Sequence, residues 1–546
     1  MVKGWQAYSF STLRSWFSKK VKTKQLYFVI VFLIYIFTII FKLPWHMDEF
    51  IMYHRLACWF PEQQLNTYRE GCMSYPIQIG MFHYFRSYGY IGGISSFILQ
   101  PFLGIINSIY TPMFLGVIFL ICVSIALKRA FALNHNYFWM ISLFFPLAFT
   151  LIHDGGPVRL GVLTIVLTPL LVQRFLLSIG LQRFLAIASI SALWIIATED
   201  KPFFVFLIPG AICFTLAALE ANRLPFPDSR RKAQLTGLFV YLSALVIIFL
   251  SVSKVSGQSY LAFLKNIAPT PSLGQRIRLA REGLLFMIDW PYFAHRNVNF
   301  ENISFALPTA DSGGQLLRFL SFPLPGLNSV KTQFASTINI FLVIVVSLIL
   351  LFVILYVLRT KTERHQKSCK LLLLSISFFW IGVWLSGGWA SHHYVFVLIP
   401  LVPLVILVAK IKNVQFTLLY FLQVVFSFSA FAIVLLTPTR DETSVEITKV
   451  YKAAIETSDS KSVINCASWG CYYPFAMLNV NRIPVVFADT EQSINSLTEI
   501  AKTRGGKIFH ICLSCNAATV RELYPDGTTN ILDTSTEIWQ VFEISP

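Results

Sequence analysis

Residues 22–50 read KTKQLYFVIVFLIYIFTIIFKLPWHMDEF. From Leu26 to Leu43 the run carries a single charge, Lys42, and its length is close to the roughly 20 apolar residues that cross a bilayer as a helix. Six Lys/Arg and no acid lie between residues 3 and 24. This resembles the charged region of a signal peptide, but the apolar run is long for one. No small-residue cleavage site follows, and His46-Met47-Asp48-Glu49 comes directly after. The stretch therefore predicts an uncleaved first transmembrane helix that enters from the inside and delivers two acids to the outer surface.

The rest of the chain repeats the pattern. Of 546 residues, 55% are hydrophobic and 13% charged. A soluble globule carries about 25% charged residues, so most of this chain cannot face water. That excludes a soluble enzyme, a fibre and a disordered scaffold. Apolar spans fall at about 26–43, 108–127, 137–152, 160–178, 184–197, 203–219, 235–252, 338–358, 370–386, 394–409 and 414–436. They predict a polytopic α-helical membrane protein of about eleven helices. The net charge is +17, which in a soluble protein would suggest nucleic acid. Here the inner connections 3–24, 128–136, 174–183, 220–234, 359–370 and 410–413 hold 21 Lys/Arg, against two in the short outer connections 153–159, 198–202 and 387–393. Such asymmetry is the mark of cytoplasmic loops and not of a nucleic-acid partner. The apolar run 91–106 is read as interfacial or re-entrant, because a further span there would move the basic clusters at 223–232 and 359–370 outside.

Two outer loops are large, 44–107 and 253–337. The tail from Thr437 to Pro546 has the composition of a soluble protein. The expected domains are thus a transmembrane one, 1–436, and a small extracytoplasmic α/β one, 437–546. In the tail, helical patterns near 441–457, 492–503 and 517–523 alternate with strand-like stretches at 462–468, 483–488, 507–514 and 538–544, and Gly505-Gly506 makes a helix-to-strand turn. Six cysteines fall in outer regions: Cys58 and Cys72 in the first loop, and Cys466, Cys471, Cys512 and Cys515 in the tail. An even number in an oxidising compartment suits disulfides, Cys58 with Cys72 and the tail cysteines among themselves. The competing reading of the tail set, C-x₄-C with C-x₂-C, is a zinc site.

Charge near a bilayer is costly, so charged residues at span ends are the first candidates for function. Four groups stand out. Asp48 and Glu49 follow the first helix, where they either face water or supply a carboxylate base. His153-Asp154-Gly155-Gly156-Pro157-Val158-Arg159 is a short turn. Gly-Gly-Pro is ordinary turn chemistry, yet the turn also gathers an imidazole, an acid and a guanidinium ahead of a helix N-terminus, which favours anions. Thr198-Glu199-Asp200-Lys201-Pro202 puts two acids and a lysine where a helix stop needs none. Gly387 to Tyr394 brings His392 and His393 to the start of a span, beside Trp389 and Tyr394 of an interfacial aromatic belt. No phosphate-binding P-loop, HExxH or G-x-S-x-G pattern is present. The spans also lack the chain of acids a proton-coupled pump would need.

An N-in first helix, an acid opening a long outer loop, a second acid in a later outer turn and a polar C-terminal domain together resemble the GT-C superfamily of glycosyltransferases that use lipid-phosphate sugars. The superfamily includes protein O-mannosyltransferases and the lipid A aminoarabinose transferase. Asp48-Glu49 matches the first-loop acid and Asp154 the second, although the first lacks a clear D-x-D. The resemblance covers about residues 1–436 and implies a donor sugar on polyprenyl phosphate. It makes Asp48 the base, with Glu49 and Asp154 beside it. Arg159, Lys201 and His392 or His393 become partners of the donor phosphate, supported by His153, Glu199 and Asp200. Asp48, Asp154 and Glu199 are the candidate ligands of a divalent metal, Mg²⁺ or Mn²⁺. The partners implied are the lipid-linked donor, a lipid, glycan or protein acceptor and the membrane. The setting implied is a bacterial inner membrane, with the N-terminus cytoplasmic and the tail periplasmic. Two alternatives remain: a lipid-linked glycan polymerase or ligase using Arg276, Arg278 and Arg281, and a glycolipid flippase or transporter.

Overall fold

The computed structural model describes residues 23–42, 77–79, 82–84, 93–106, 108, 110–133, 138, 141–142, 147–148, 151–152, 157–222, 229–255, 258–259, 261–262, 363–385, 399, 401–410, 450–451, 453–467, 471–472, 475, 483–513, 515–532 and 539–546. Helix α1 (Thr23–Lys42) is the first apolar run. A small hairpin, β1 (Ile77–Ile79) with β2 (Phe82–Tyr84), precedes α2 (Ile94–Ile105). Then come α3 (Thr111–Ala130), α4 (Pro157–Leu177), α5 (Gly180–Asp200), a 3₁₀ segment (Pro202–Leu207), α6 (Ile208–Ala221) and α7 (Ser229–Val252). After a two-residue pairing of β3 (Lys254–Val255) with β4 (Gln258–Ser259) come α8 (Glu363–Leu385) and α9 (Leu401–Lys410).

Five of these segments are long and apolar enough to cross a membrane: Thr111–Ala130, Arg159–Leu177, Gly180–Asp200, Pro202–Ala221 and Lys232–Val252. Helix α2 is different. Its 12 residues rise about 18 Å, against a hydrocarbon core of about 30 Å. The helices pack through small residues and hydroxyls, as is usual where no hydrophobic force separates helix from lipid. Gly210 of α6 leaves no room for a Cβ against the Phe379 ring of α8. Ser375 and Ser368 of α8 donate to the carbonyls of Gly210 and Ala217 at 2.8 and 2.9 Å. Trp194 of α5 donates to Thr168 of α4 at 3.2 Å, and Thr164 donates to the Leu193 carbonyl. One end of the bundle is basic, with Lys128, Arg129 and Arg174 in the last turns of α3 and α4. There Glu220, buried, pairs with Lys367 at 2.6 Å. Asn222 tethers the end of α6 to the Ala130 carbonyl.

The tail contains a five-stranded sheet in the order β6-β5-β7-β9-β8, made of β5 (Val463–Cys466), β6 (Val485–Val486), β7 (Ile508–Leu513), β8 (Thr528–Ile531) and β9 (Trp539–Ser545). Strand β5 pairs in parallel with β6 and β7, and β9 runs antiparallel to β7 and β8. Alternation divides the sheet's side chains between its faces. Val463, Ile508, Cys512, Phe542 and Ile544 pack with Ile494, Leu497 and Ala501 of α10 (Glu491–Arg504) and Val520 of α11 (Ala517–Leu523). Ile464, Cys466, Phe509, Ile511 and Val541 face the other way. Helix α10 begins with a capping box between Thr490 and Ser493 and ends on Gly505 at φ +64°, the left-handed position that favours glycine. Asn465, His510 and Tyr524 form a buried polar knot. The Asn465 amide bridges both the carbonyl and the N–H of Ala488, and His510 Nδ1 lies 3.2 Å from both Asn465 Nδ2 and the Tyr524 hydroxyl. Burial pushes the His510 imidazole down to about 4 and the Tyr524 phenol up. Cystines join Cys466 to Cys471 and Cys512 to Cys515. Cys58 and Cys72 lie outside the described residues.

Candidate functional site

The last turn of α5 is an unusual place for acids. A helix C-terminus carries the negative end of the macrodipole, so carboxylates there are disfavoured. Yet Thr198, Glu199 and Asp200 are all buried, and so is Lys201 just beyond. The compensation comes from α2. Glu199 Oε1 accepts from the Gly93 N–H at 3.1 Å. Asp200 Oδ1 accepts from the Ser95 N–H at 3.1 Å, and Oδ2 accepts from the Ser95 hydroxyl at 2.5 Å. Gly93 caps α2 and Ser95 sits in its first turn, where N–H groups have no partner within the helix. Two carboxylates from 105 residues further along the chain thus cap α2 and meet the positive end of its dipole. Of the three contacts in this clasp, only the one from the Ser95 hydroxyl is short.

The chain then turns sharply. Lys201 is extended (φ −143°, ψ 98°), its N–H still bonded to Ala197, and Pro202 opens the 3₁₀ segment. The Lys201 Nζ lies 6.0 Å from the Phe203 ring centre, at the outer limit of cation–π contact. Phe204, fully buried, lies against Gly161 so closely that a Cβ there would enter its ring.

Two residues before Gly161, Arg159 stands in the first turn of α4, 2% exposed. A cation at a helix N-terminus opposes the dipole. Its guanidinium finds carbonyls instead: Nε donates to Leu151 at 2.7 Å and Nη2 to Ile152 at 2.6 Å. Gly116 of α3 makes this possible, since a side chain there would strike the Leu151 carbonyl, Ile152 and the guanidinium together. Arg159 therefore staples both sides of the 153–156 segment, which carries His153 and Asp154.

One end of the bundle thus brings together Arg159, the Glu199-Asp200-Lys201 run, Phe204 and the N-terminus of α2. Asp48, Glu49, His153, Asp154, His392 and His393 lie outside the described residues, as do Arg276, Arg278 and Arg281. The clasp partners Gly93 and Ser95 were not among the residues expected from sequence. Their signal is Gly92-Gly93-Ile94-Ser95-Ser96, a capping pattern ahead of an apolar run. Both oxygens of Asp200 accept from Ser95, and one oxygen of Glu199 accepts from Gly93; each carboxylate keeps lone pairs with which it can ligate a divalent metal.

No protein-family model matches the chain, and no curated protein matches it in sequence. The solved structures similar to it include these two. One is ArnT from Cupriavidus metallidurans bound to undecaprenyl phosphate, at 11% identity and a TM-score of 0.49, covering 95% of this chain and 97% of that one. The other is the archaeal oligosaccharyltransferase AglB from Archaeoglobus fulgidus, in complex with an inhibitory peptide and a dolichol-phosphate, at 10% identity and a TM-score of 0.39, covering 90% of this chain and 70% of that one. Both are proteins of the GT-C superfamily.

Proposed function

We propose that this chain is a membrane glycosyltransferase of the GT-C kind. It moves a sugar from a polyprenyl-phosphate donor to an acceptor hydroxyl at the extracytoplasmic face, in modification of a cell-envelope glycan or glycolipid. The observation that carries this reading is the buried charge at one end of an apolar bundle: Arg159, Glu199, Asp200 and Lys201 are each 5% exposed or less. Ionisable groups in such a setting are costly and mark function. They gather at one face, whereas a transporter path would place them at mid-bilayer depth. The opposite end carries Lys128, Arg129 and Arg174, the excess expected of a cytoplasmic side. On this reading the N-terminus is cytoplasmic and the tail, residues 437–546, is periplasmic on a bacterial inner membrane.

The chemistry follows from the residue types. Asp48 takes the proton of the acceptor hydroxyl, with Glu49 beside it. Lys201 and His392 or His393 hold the donor phosphate and stabilise its growing charge as the glycosidic bond breaks. Arg159 fixes the turn that presents His153 and Asp154 and adds positive charge behind the phosphate. Glu199 and Asp200 anchor α2 to the bundle. Mg²⁺ or Mn²⁺, where used, would be held by Asp48, Asp154 and Glu199 and would neutralise phosphate charge.

The test is reconstitution in vesicles with undecaprenyl-phosphate sugars labelled in the sugar, with and without EDTA. The expected result is label on an acceptor and free undecaprenyl phosphate. Label crossing the bilayer still attached to its lipid would instead establish a flippase. Loss of transfer in EDTA, restored by Mn²⁺, would assign the metal.

A further inference from the structure

Strand β7 ends in Cys512-Leu513-Ser514-Cys515, and His510 precedes it on the same strand. The imidazole and the two sulfurs offer ligand atoms that all lie within 4.8 Å of one another. We propose that reduction of the Cys512–Cys515 cystine converts His510, Cys512 and Cys515 into a three-ligand site for a thiophilic divalent cation of the zinc type. The proposal is independent of the glycosyl-transfer reading.

Four observations support it. The donor set is one imidazole and two thiolates, the borderline-soft mixture that zinc and its mimics prefer. Ligand atoms on a tetrahedral ion at about 2.0–2.3 Å are under about 4 Å apart, so little movement closes the site. His510 and Cys512 sit two apart on β7 and so share one face of the sheet. Cys466 points to the opposite face with Ile464 and Ile511, so the tail's four cysteines do not form one cluster. The ring of His510 is also held in advance: its Nδ1 lies 3.2 Å from both Asn465 Nδ2 and the Tyr524 hydroxyl, so the proposal gives the ion to Nε2. With the ion on Nε2 the ring's proton moves to Nδ1, and Nδ1–H donates to the Tyr524 oxygen, as metal-bound imidazoles usually do.

Position in the sheet is the fourth observation. From β5 the chain passes to β6 on one side, and from β6 it returns across β5 to β7 on the other. The first connection buries Cys471 and Phe475 with one face, and the second buries α10 against the other. The carboxyl ends of β5 and β7 therefore flank a topological switch point, the usual ligand position in an open α/β sheet. Cys512 lies at that edge.

Accessibility selects the same cystine. Cys466 and Cys471 are fully buried, whereas Cys515 is partly exposed. A thiolate of a dithiol reductant attacks the Cys515 sulfur and Cys512 leaves. The second thiol of the reductant then resolves the mixed disulfide. Two electrons and two protons pass to the cysteines, and the dithiol becomes a disulfide. Binding the cation then releases the two thiol protons.

The test uses the full-length protein in detergent, reduced with a phosphine and titrated anaerobically with Co²⁺. Reduced protein is expected to gain one thiolate-to-cobalt charge-transfer site per chain that Cys512→Ser lacks. His510→Ala should weaken it by about tenfold or more, and the unreduced protein should show none. Equal Co²⁺ spectra for the reduced protein and Cys512→Ser would overturn the proposal. A second measurement needs no variant. Zn²⁺ should slow alkylation of Cys512 and Cys515 in the reduced protein, mapped by mass spectrometry, and an unchanged rate at both would equally contradict the site.

Discussion

Asp200 answers two demands at once. It ends α5, where its charge opposes the helix dipole, and it caps α2, where the dipole favours it. The second wins because both oxygens accept from Ser95 in a buried setting. Asp200→Ala should therefore cost about 1–3 kcal/mol, the penalty for stranding buried donors. Asp200→Asn, which keeps an acceptor for the Ser95 N–H, should cost less. Thermal unfolding in detergent reads both, and equal midpoints for Ala and wild type would remove the clasp from the account. His510 gives a pH signature of the oxidised tail. Its folded value is about 4, below the ordinary imidazole value of 6.5. The unfolded tail therefore takes up a proton first as pH falls. Stability is complete above 6.5, declines between 6.5 and about 4, and is lower by about 3 kcal/mol at the bottom of that window. Hydrogen exchange at β7 in the full-length protein, corrected for intrinsic rate, should show protection falling across this window. Constant protection there would contradict the buried neutral ring. At this scale the sequence marked Glu199, Asp200 and Lys201 as out of place, because charge is rare in this chain. It could not show that Ser95 and Gly93 receive them, since a contact 105 residues away leaves no local pattern.

At the scale of elements, long apolar runs were legible and their ends were not. The span expected at 184–197 is a helix from Gly180 to Asp200. Hydropathy stops at Gln182, Arg183 and Glu199, but the backbone continues because the acids are paired on another helix and Arg183 reaches over the Phe175 ring. Charge parity reads the run 91–106 as an interfacial or re-entrant segment, and α2 is a 12-residue helix. Strand β8 went unread. Its TTNI sequence lies at the sheet edge, mostly exposed, and lacks the apolar alternation that signals a strand. Packing between α6 and α8 depends on Gly210, which sequence alone cannot distinguish from a flexible glycine. Gly210→Val should drive the Phe379 ring from its rotamer and cost about 1–3 kcal/mol. Gly237, where an added Cβ meets nothing within 4 Å, is the control. Similar unfolding midpoints for Gly210→Val and Gly237→Val would show that the α6–α8 contact is looser than described.

Among the described residues, one end of the apolar bundle is basic, the other end holds buried charge, and the tail carries a five-stranded sheet. Composition alone indicated the membrane, and charge asymmetry underlies the proposed orientation. A periplasm-dependent reporter fused after Pro546 should be active, and activity of a cytoplasm-dependent one there would reverse the topology and with it the side of the site. The proposed function assigns the base to Asp48, which lies outside the described residues. Asp48→Asn is nearly isosteric, so the protein should fold and bind undecaprenyl phosphate as before. The direct measurement is single-turnover transfer from an undecaprenyl-phosphate sugar by wild type and Asp48→Asn. The account predicts a loss of about 10²–10⁴-fold in the transfer rate with donor affinity unchanged. A wild-type transfer rate in Asp48→Asn would contradict it.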